Sequence, residues 1–226
     1  MAVAAFFDVD GTLIAKNSGP LYMKFLRRRG EIRRRDALRT IYLYLRYRLN
    51  LLDIEHALEQ SSVWIRGRAE ADIAAHCRIW YQEMVRQYLQ PEMVRRVRMH
   101  REKGHLVAIL SSTTNYLADP LAEELGIEHL LVSRLVVKDG RFTGEAHRPI
   151  CYGKGKLHWA RRFAAEHQVD LAASFFYTDS VTDAPVLEIV GHPQVVNPDP
   201  FLRRLARQRG WEVMQLRHDD HIAASA

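Results

Sequence analysis

Apolar and polar positions follow two different periods along this chain. Val3 to Phe7 is a short apolar run that ends on Asp8, Asp10 and Gly11, the pattern of a buried strand closed by a turn. A second such run, Leu106 to Leu110, ends on Ser111, Ser112, Thr113 and Thr114, and a helix is predicted from there to about Leu125, stopped by Gly126. A third, from Ala173 to Thr178, ends on Asp179 and Asp183, and a fourth, Pro193 to Val196, leads into a last helix and a short strand ending near Leu216. Between the first and second strands the spacing changes to three and four, as in Leu21, Phe25 and Leu26, Leu38, Ile41, Tyr42 and Leu45, or Ile73, Cys77, Trp80, Tyr81 and Met84. Residues 20–102 therefore read as almost pure helix. Residues 130–137 and 141–145 flank Lys138-Asp139-Gly140, an Asp-Gly hairpin signal expected to form a structural flap. The whole pattern predicts an α/β protein with a parallel sheet core.

Composition narrows the class. A chain of 226 residues, 47% apolar, holds one substantial core, or one core and a small accessory domain. No stretch of about 18 residues is free of charge, and the first apolar run is cut by Asp8, so neither a membrane span nor a signal sequence is expected. Cys77 and Cys151 stand far apart with no His-Cys cluster near them, which argues against disulfides or a zinc site and fits a cytoplasmic protein. The net charge of +6 is concentrated in residues 26–52, where nine arginines interleave with Ile41, Tyr42, Tyr44 and Tyr47. A solvated helix face accounts for this stretch; an anionic membrane surface, or a surface attracting an anionic substrate, are the alternatives. No nucleic-acid partner is expected, because no recognised binding motif accompanies the charge. The terminal His218-Asp219-Asp220-His221 looks like a metal cluster but reads as a frayed polar end.

The candidate chemistry sits where the first strand stops. Alternation sends Asp8 and Asp10 to one side and Val9 to the other, at the strand end where open α/β sheets bind ligands. Two acids this close ionise together only if a cation lies between them or one keeps its proton. A solvated Asp-x-Asp-Gly turn is the plain alternative.

Asp8-Val9-Asp10-Gly11-Thr12-Leu13-Ile14 after an apolar strand resembles motif one of the haloacid dehalogenase superfamily of phosphohydrolases. The resemblance implies that Asp8 is the nucleophile of an aspartyl-phosphate mechanism and Asp10 its general acid and base. The related ATPases carry Thr where Asp10 stands, so hydrolysis is implied. Ser111 matches motif two, a phosphate-oxygen donor at a helix start. Residues 152–158 match motif three, with Lys154 and Lys156 competing for the lysine. Counting the helix from Lys156 sends Trp159, Ala160 and Phe163 inward, which favours it. Asp179 and Asp183 match motif four, and together with Asp8 and the backbone carbonyl of Asp10 they imply a Mg²⁺ site, Asp183 orienting the waters.

A helical block after the first strand is similar to the cap of the phosphoserine phosphatase subgroup. On that basis residues 16–88 are the expected helical cap, and residues 1–15 and 89–226 the Rossmann-like core. Gly11, Asn17, Ser112 and Thr182 are the candidate substrate contacts. Asn17 stands where phosphoserine phosphatases have the acid that pairs with the substrate amine, and Thr182 where they have Asn. Residues 58–62 carry no arginine for a carboxylate, although Arg66 and Arg68 follow. The implied activity is a Mg²⁺-dependent phosphomonoesterase acting on a small phosphorylated metabolite, histidinol-phosphate-like or phosphoserine-like. The competing expectation is a phosphatase-fold binding protein that associates with an anionic membrane or a partner through its basic cap.

Overall fold

A computed structural model describes residues 1–31 and 65–216. Residues 32–52 of the arginine-rich stretch, residues 58–62 and the terminal His218-Asp219-Asp220-His221 lie outside the described residues. Strand β1 (Ala4–Phe7) is followed by helix α1 (Ser18–Arg28), α2 (Glu70–Trp80) and α3 (Pro91–Glu102). Next come β2 (Leu106–Thr114), α4 (Asn115–Leu125) and β3 (His129–Ser133), then β4 (Leu135–Lys138) and β5 (Arg141–Ala146). The remainder is α5 (Lys154–Glu166), β6 (Phe175–Thr178), α6 (Ala184–Leu187), β7 (His192–Val196), α7 (Pro200–Arg209) and β8 (Glu212–Met214). Among the described residues no helix is long and apolar enough to cross a membrane.

Six strands form one parallel sheet in the order β3-β2-β1-β6-β7-β8. A strand buried on both faces cannot alternate apolar with polar residues, which is why β1 is apolar throughout. Its residues divide between two cores. Ala5 and Phe7 join Ile109 and Tyr177 against α1, α2, α3 and α4, whereas Ala4 and Phe6 join Leu110 and Phe176 against α5, α6 and α7. Phe6 and Phe7 are fully buried, and burial of a phenylalanine side chain contributes about 1.5–3 kcal/mol.

The register sets the site. Phe7 lies opposite Ile109 on one side and Tyr177 on the other, so Asp8 is level with Leu110 and Thr178. Ser111 and Asp179 stand one residue further along their own strands. Distant segments thereby deliver their polar ends to one sheet edge.

Two expectations change. Residues 130–137 do not form one strand: residues up to Ser133 join the main sheet as β3, and only β4 and β5 make the hairpin, turning through Asp139 and Gly140 at φ 49° and 70°. The local pattern could not reveal the change of sheet, because both halves are equally apolar. The helical block is also interrupted, with α2 running into a π-turn at Tyr81–Val85 and a 3₁₀ turn at Arg86–Tyr88 before the chain extends at Leu89 and Gln90. There the outgoing and returning chains meet side by side: Ile14 bridges Leu89, the Ala15 N–H donates to Tyr88 O at 2.8 Å, and the Gln90 N–H donates to Leu13 O at 2.9 Å. The Gln90 side chain, buried, donates to Thr12 O at 2.7 Å and Gly11 O at 3.2 Å.

Candidate active site

Asp8 is the first residue beyond β1, and its N–H still donates to Tyr177 O at 2.9 Å, so the backbone is held by the sheet while the side chain is delivered past its edge. The Val9 N–H donates to Asp8 Oδ1 at 2.8 Å. The loop then folds back on Val9 O, which accepts from Thr12 and Ile14 at 3.2 and 3.0 Å. Gly11 makes this possible at φ 71°, and it does more than turn the chain: a Cβ built there would overlap the carboxylate of Asp179. The glycine is the space into which the motif-four acid fits.

Asp10 is held by the start of α1. The Ser18 N–H donates to its Oδ1 at 2.8 Å and the Ser18 hydroxyl to its Oδ2 at 2.9 Å. Burial pushes the Asp10 carboxyl up to about 7; the Ser18 hydrogen bonds pull it down and the neighbouring Asp8 charge pushes it up.

Lys156 comes from the opposite face of the sheet. Gly155 lies against the Ile150 carbonyl, which a Cβ would overlap, and this close approach seats the first turn of α5 so that Lys156 points inward. Lys156 is 2% exposed, with Nζ 3.1 Å from Asp8 Oδ1 and 2.7 Å from Asp183 Oδ2, while Lys154 is exposed. Burial opposes the ammonium charge, but Asp183 and Asp8 outweigh it and hold the lysine above its ordinary range. Asp183 Oδ2 also accepts from Thr178 Oγ1 at 2.6 Å, and its Oδ1 is buried with no hydrogen-bond partner among the described residues.

Asp179 is the acid left over. Its side chain has no hydrogen-bond or ion-pair partner among the described residues, and burial, followed by the charges of Asp8, Asp183 and Asp10, drives its carboxyl well above the usual carboxylate range. Four carboxylates thus face one ammonium. That imbalance, with an orphaned Asp183 oxygen, is the environment a divalent cation relieves, and oxygen donors suit Mg²⁺. Among the described residues no three His, Cys, Asp or Glu side chains converge on one point. Asp183 is committed to Lys156 and Thr178 through one oxygen, which leaves Oδ1 for a cation or its waters.

The other predicted positions are distributed around this centre. Ser111 is buried on β2, its Oγ accepting from the Thr113 N–H at 3.4 Å, with no direct bond to the carboxylates. Ser112 lines a cavity beside Ser18. Asn17 caps α1, accepting from the Gly19 N–H at 3.0 Å, a structural task that a substrate contact would have to displace. Thr182 is paired with Ser180 Oγ at 3.0 Å. Ser18 and Gln90 were not expected at the site. The signal for Ser18 was an Asn-Ser pair just before Gly19-Pro20, a helix start; nothing local marks Gln90.

The family model for haloacid dehalogenase-like hydrolases matches residues 5–188. A phosphoserine phosphatase of Mycobacterium tuberculosis is 32% identical over 221 residues, covering 96% of this chain and 72% of that one. A histidinol-phosphatase of Neisseria meningitidis is 28% identical over 221 residues, covering 94% of this chain and 98% of that one. The crystal structure of a protein of unknown function from Bordetella pertussis is similar at a TM-score of 0.85 and 31% identity, over 95% of this chain and 99% of that one. With the family match spanning most of the chain and the carboxylates gathered at one sheet edge, the chain belongs to the haloacid dehalogenase-like hydrolase family and is a phosphatase-type hydrolase within it.

Proposed function

We propose that the protein is a Mg²⁺-dependent phosphomonoesterase that works through an aspartyl-phosphate on Asp8, with residues 16–88 serving as a cap over the reacting group. The observation that carries this is the asymmetry of the Asp8 carboxylate. Oδ1 is occupied by the Val9 N–H and Lys156, and Oδ2 has no hydrogen-bond partner among the described residues, which leaves it free to act on phosphorus.

In the first transfer, Asp8 Oδ2 forms a bond to phosphorus as the ester P–O bond breaks, and Asp10 gives its proton to the departing alkoxide. In the second, Asp10 takes a proton from a water that attacks the acyl-phosphate, releasing phosphate and restoring Asp8. A carboxyl with a pKa near neutrality serves both directions. Ser18 holds Asp10 in place through both steps. Lys156 keeps Asp8 ionised and offsets the negative charge that accumulates when a phosphate enters. Asp8, Asp179 and the Asp10 backbone carbonyl would hold Mg²⁺, which when bound screens the repulsion between carboxylates and phosphate.

The substrate class is a small phosphorylated metabolite. Both relatives named for an activity, one for phosphoserine and one for histidinol phosphate, support that scale. Residues 58–62 carry no arginine to pair with a substrate carboxylate, and this favours a histidinol-phosphate-like ester, which has no carboxylate, over phosphoserine. A panel of small phosphate esters, assayed with Mg²⁺ and with a chelator, tests the reading. Turnover is expected only with the ion, and Asp8→Asn is expected to lose at least about a thousandfold in kcat. Full activity of Asp8→Asn would sink it.

A further inference from the structure

Two acids of the site share the loop after β6, and they are anchored in different ways. Asp183 is fixed through its side chain, which accepts from Lys156 Nζ at 2.7 Å and from Thr178 Oγ1 at 2.6 Å. The Asp179 side chain has no such anchor among the described residues. Gly11 bounds it on one side, where a Cβ would overlap the carboxylate, and the charges of Asp8, Asp183 and Asp10 repel it. Its place is therefore set through its backbone.

That backbone is gripped by Asp199, which follows β7, caps α7 and is 9% exposed. Asp199 Oδ1 accepts from the Phe201 and Leu202 N–H groups at 2.9 and 2.8 Å, which satisfies the start of the helix. Its Oδ2 turns the other way and accepts from the Val181 N–H at 2.8 Å, while its own N–H donates to Asp179 O at 2.8 Å. The loop is thus held at the carbonyl of its leading acid and at the amide two residues on. Serine or asparagine caps a helix as well as aspartate does, but among these residues only aspartate brings a second acceptor oxygen. The second oxygen is surplus to the cap and serves the loop.

We infer that Asp199 is a positioning residue for the cation site, holding the loop so that Asp179 meets a cation already in place. The inference rests on the reading above in which Asp179 is a ligand. Without the Val181 bond the loop is free to yield to the repulsion among the acids, and a cation must then pull Asp179 back before it is bound. The cost falls on cation affinity, as is usual when the partners behind a metal ligand are removed.

Three variants test this. Asp199→Asn keeps the shape and the α7 cap but turns an amide donor toward the Val181 N–H. Val181→Pro removes that N–H from the other end. Ser180 is extended at φ −111° and ψ 137°, as suits a residue before proline, and Val181 opens a 3₁₀ turn, where proline is tolerated. Ala206→Gly loosens α7 without touching either group and is the control for lost stability. Each protein is titrated with Mg²⁺ in the absence of substrate, reading the rise in melting temperature, and then assayed on p-nitrophenyl phosphate. The Mg²⁺ concentration giving half of the rise is expected to increase by roughly tenfold to a hundredfold in Asp199→Asn and in Val181→Pro, no further in the double variant, and not at all in Ala206→Gly. Saturating Mg²⁺ should restore most of the turnover. The two variants break one bond from opposite ends, so either decides the matter if the other does not fold. An unshifted midpoint in a folded variant, or shifts that add in the double variant, overturns the inference while leaving the phosphatase chemistry standing. A parent protein that neither gains stability from Mg²⁺ nor hydrolyses the ester overturns the chemistry and the inference with it.

Discussion

Lys156 Nζ stands 3.1 Å from Asp8 Oδ1, and both side chains are almost wholly buried. The same ammonium reaches Asp183 at 2.7 Å, so one lysine ties the helix that follows the hairpin to the ends of two strands. Replacing it by methionine leaves buried acids without their counter-charge. Lys156→Met is expected to destabilise the fold by about 3–5 kcal/mol in chelator, measured by urea unfolding, and to lower kcat by roughly a thousandfold. Added Mg²⁺ should recover part of the stability and little of the activity. A variant as stable and active as the parent would show that the pair is idle.

Gly11 offers a sharper probe of the proposed cation site. Gly11→Ala suffers the positive φ and also the overlap with Asp179, whereas Gly210→Ala suffers the φ of 69°, with nothing among the described residues within 4 Å of the added carbon. Each should lose more than about 1 kcal/mol of stability. Only Gly11→Ala should displace Asp179, so only it should raise the Mg²⁺ concentration needed for half-maximal activity, by roughly tenfold or more. Equal ion requirements in both variants would count against Asp179 as a ligand.

Ser18→Ala removes the hydroxyl donor from Asp10 Oδ2 and leaves the N–H donor in place. Asp10 then keeps its position on average but gains freedom. The expected result is a drop in kcat of about tenfold with KM little changed, because the lost interaction orients the proton donor and not the bound phosphate. A change confined to KM would place Ser18 in ground-state binding.

How much of this was legible beforehand depends on range. Asp8, Ser111 and Asp179 each follow an apolar run, and strand ends in a parallel sheet share one edge, so their convergence could be read from local pattern. The choice of Lys156 over Lys154 followed from helical spacing alone. The hairpin was recognised by Asp139-Gly140, yet its first strand was overextended, since nothing in residues 130–137 marks where the chain leaves one sheet for another. Gln90 escaped notice because its partners, Gly11 O and Thr12 O, lie 79 and 78 residues away and are backbone atoms.

A pH effect on stability should arise in the core that α3 shares with Phe7 and Tyr177. His100 is fully buried, its Nε2 2.9 Å from Tyr177 Oη and its Nδ1 2.8 Å from His105 Nδ1. Phe7 and Phe175 pack on its ring, and Lys103 and Arg96 add positive charge nearby. Burial, then the charge of His105, lowers its pKa from 6.5 to about 4. Between those values the unfolded chain binds a proton that the folded chain refuses, so stability is complete above pH 6.5 and declines as pH falls toward 4. The loss from this residue by pH 5 should be about 2 kcal/mol. His100→Gln should flatten that part of the profile in urea titrations at pH 7.5 and 5, and an unchanged slope would refute the assignment.

The clasp formed by Ile14 with Leu89 and by Ala15 with Tyr88 joins the outgoing and returning chains beside the site, while Ala69 bridging Arg141 and the Glu70 N–H donating to Gly140 O at 2.8 Å tie the start of α2 to the hairpin. Because the chain departs and comes back through adjacent backbone, the length and sequence of what lies between can vary without transmitting a shift in register to Asp8. On the reading proposed above, residues beyond Ser18 can be exchanged to alter specificity while Asp8 stays where the sheet puts it and Asp10 where Ser18 holds it.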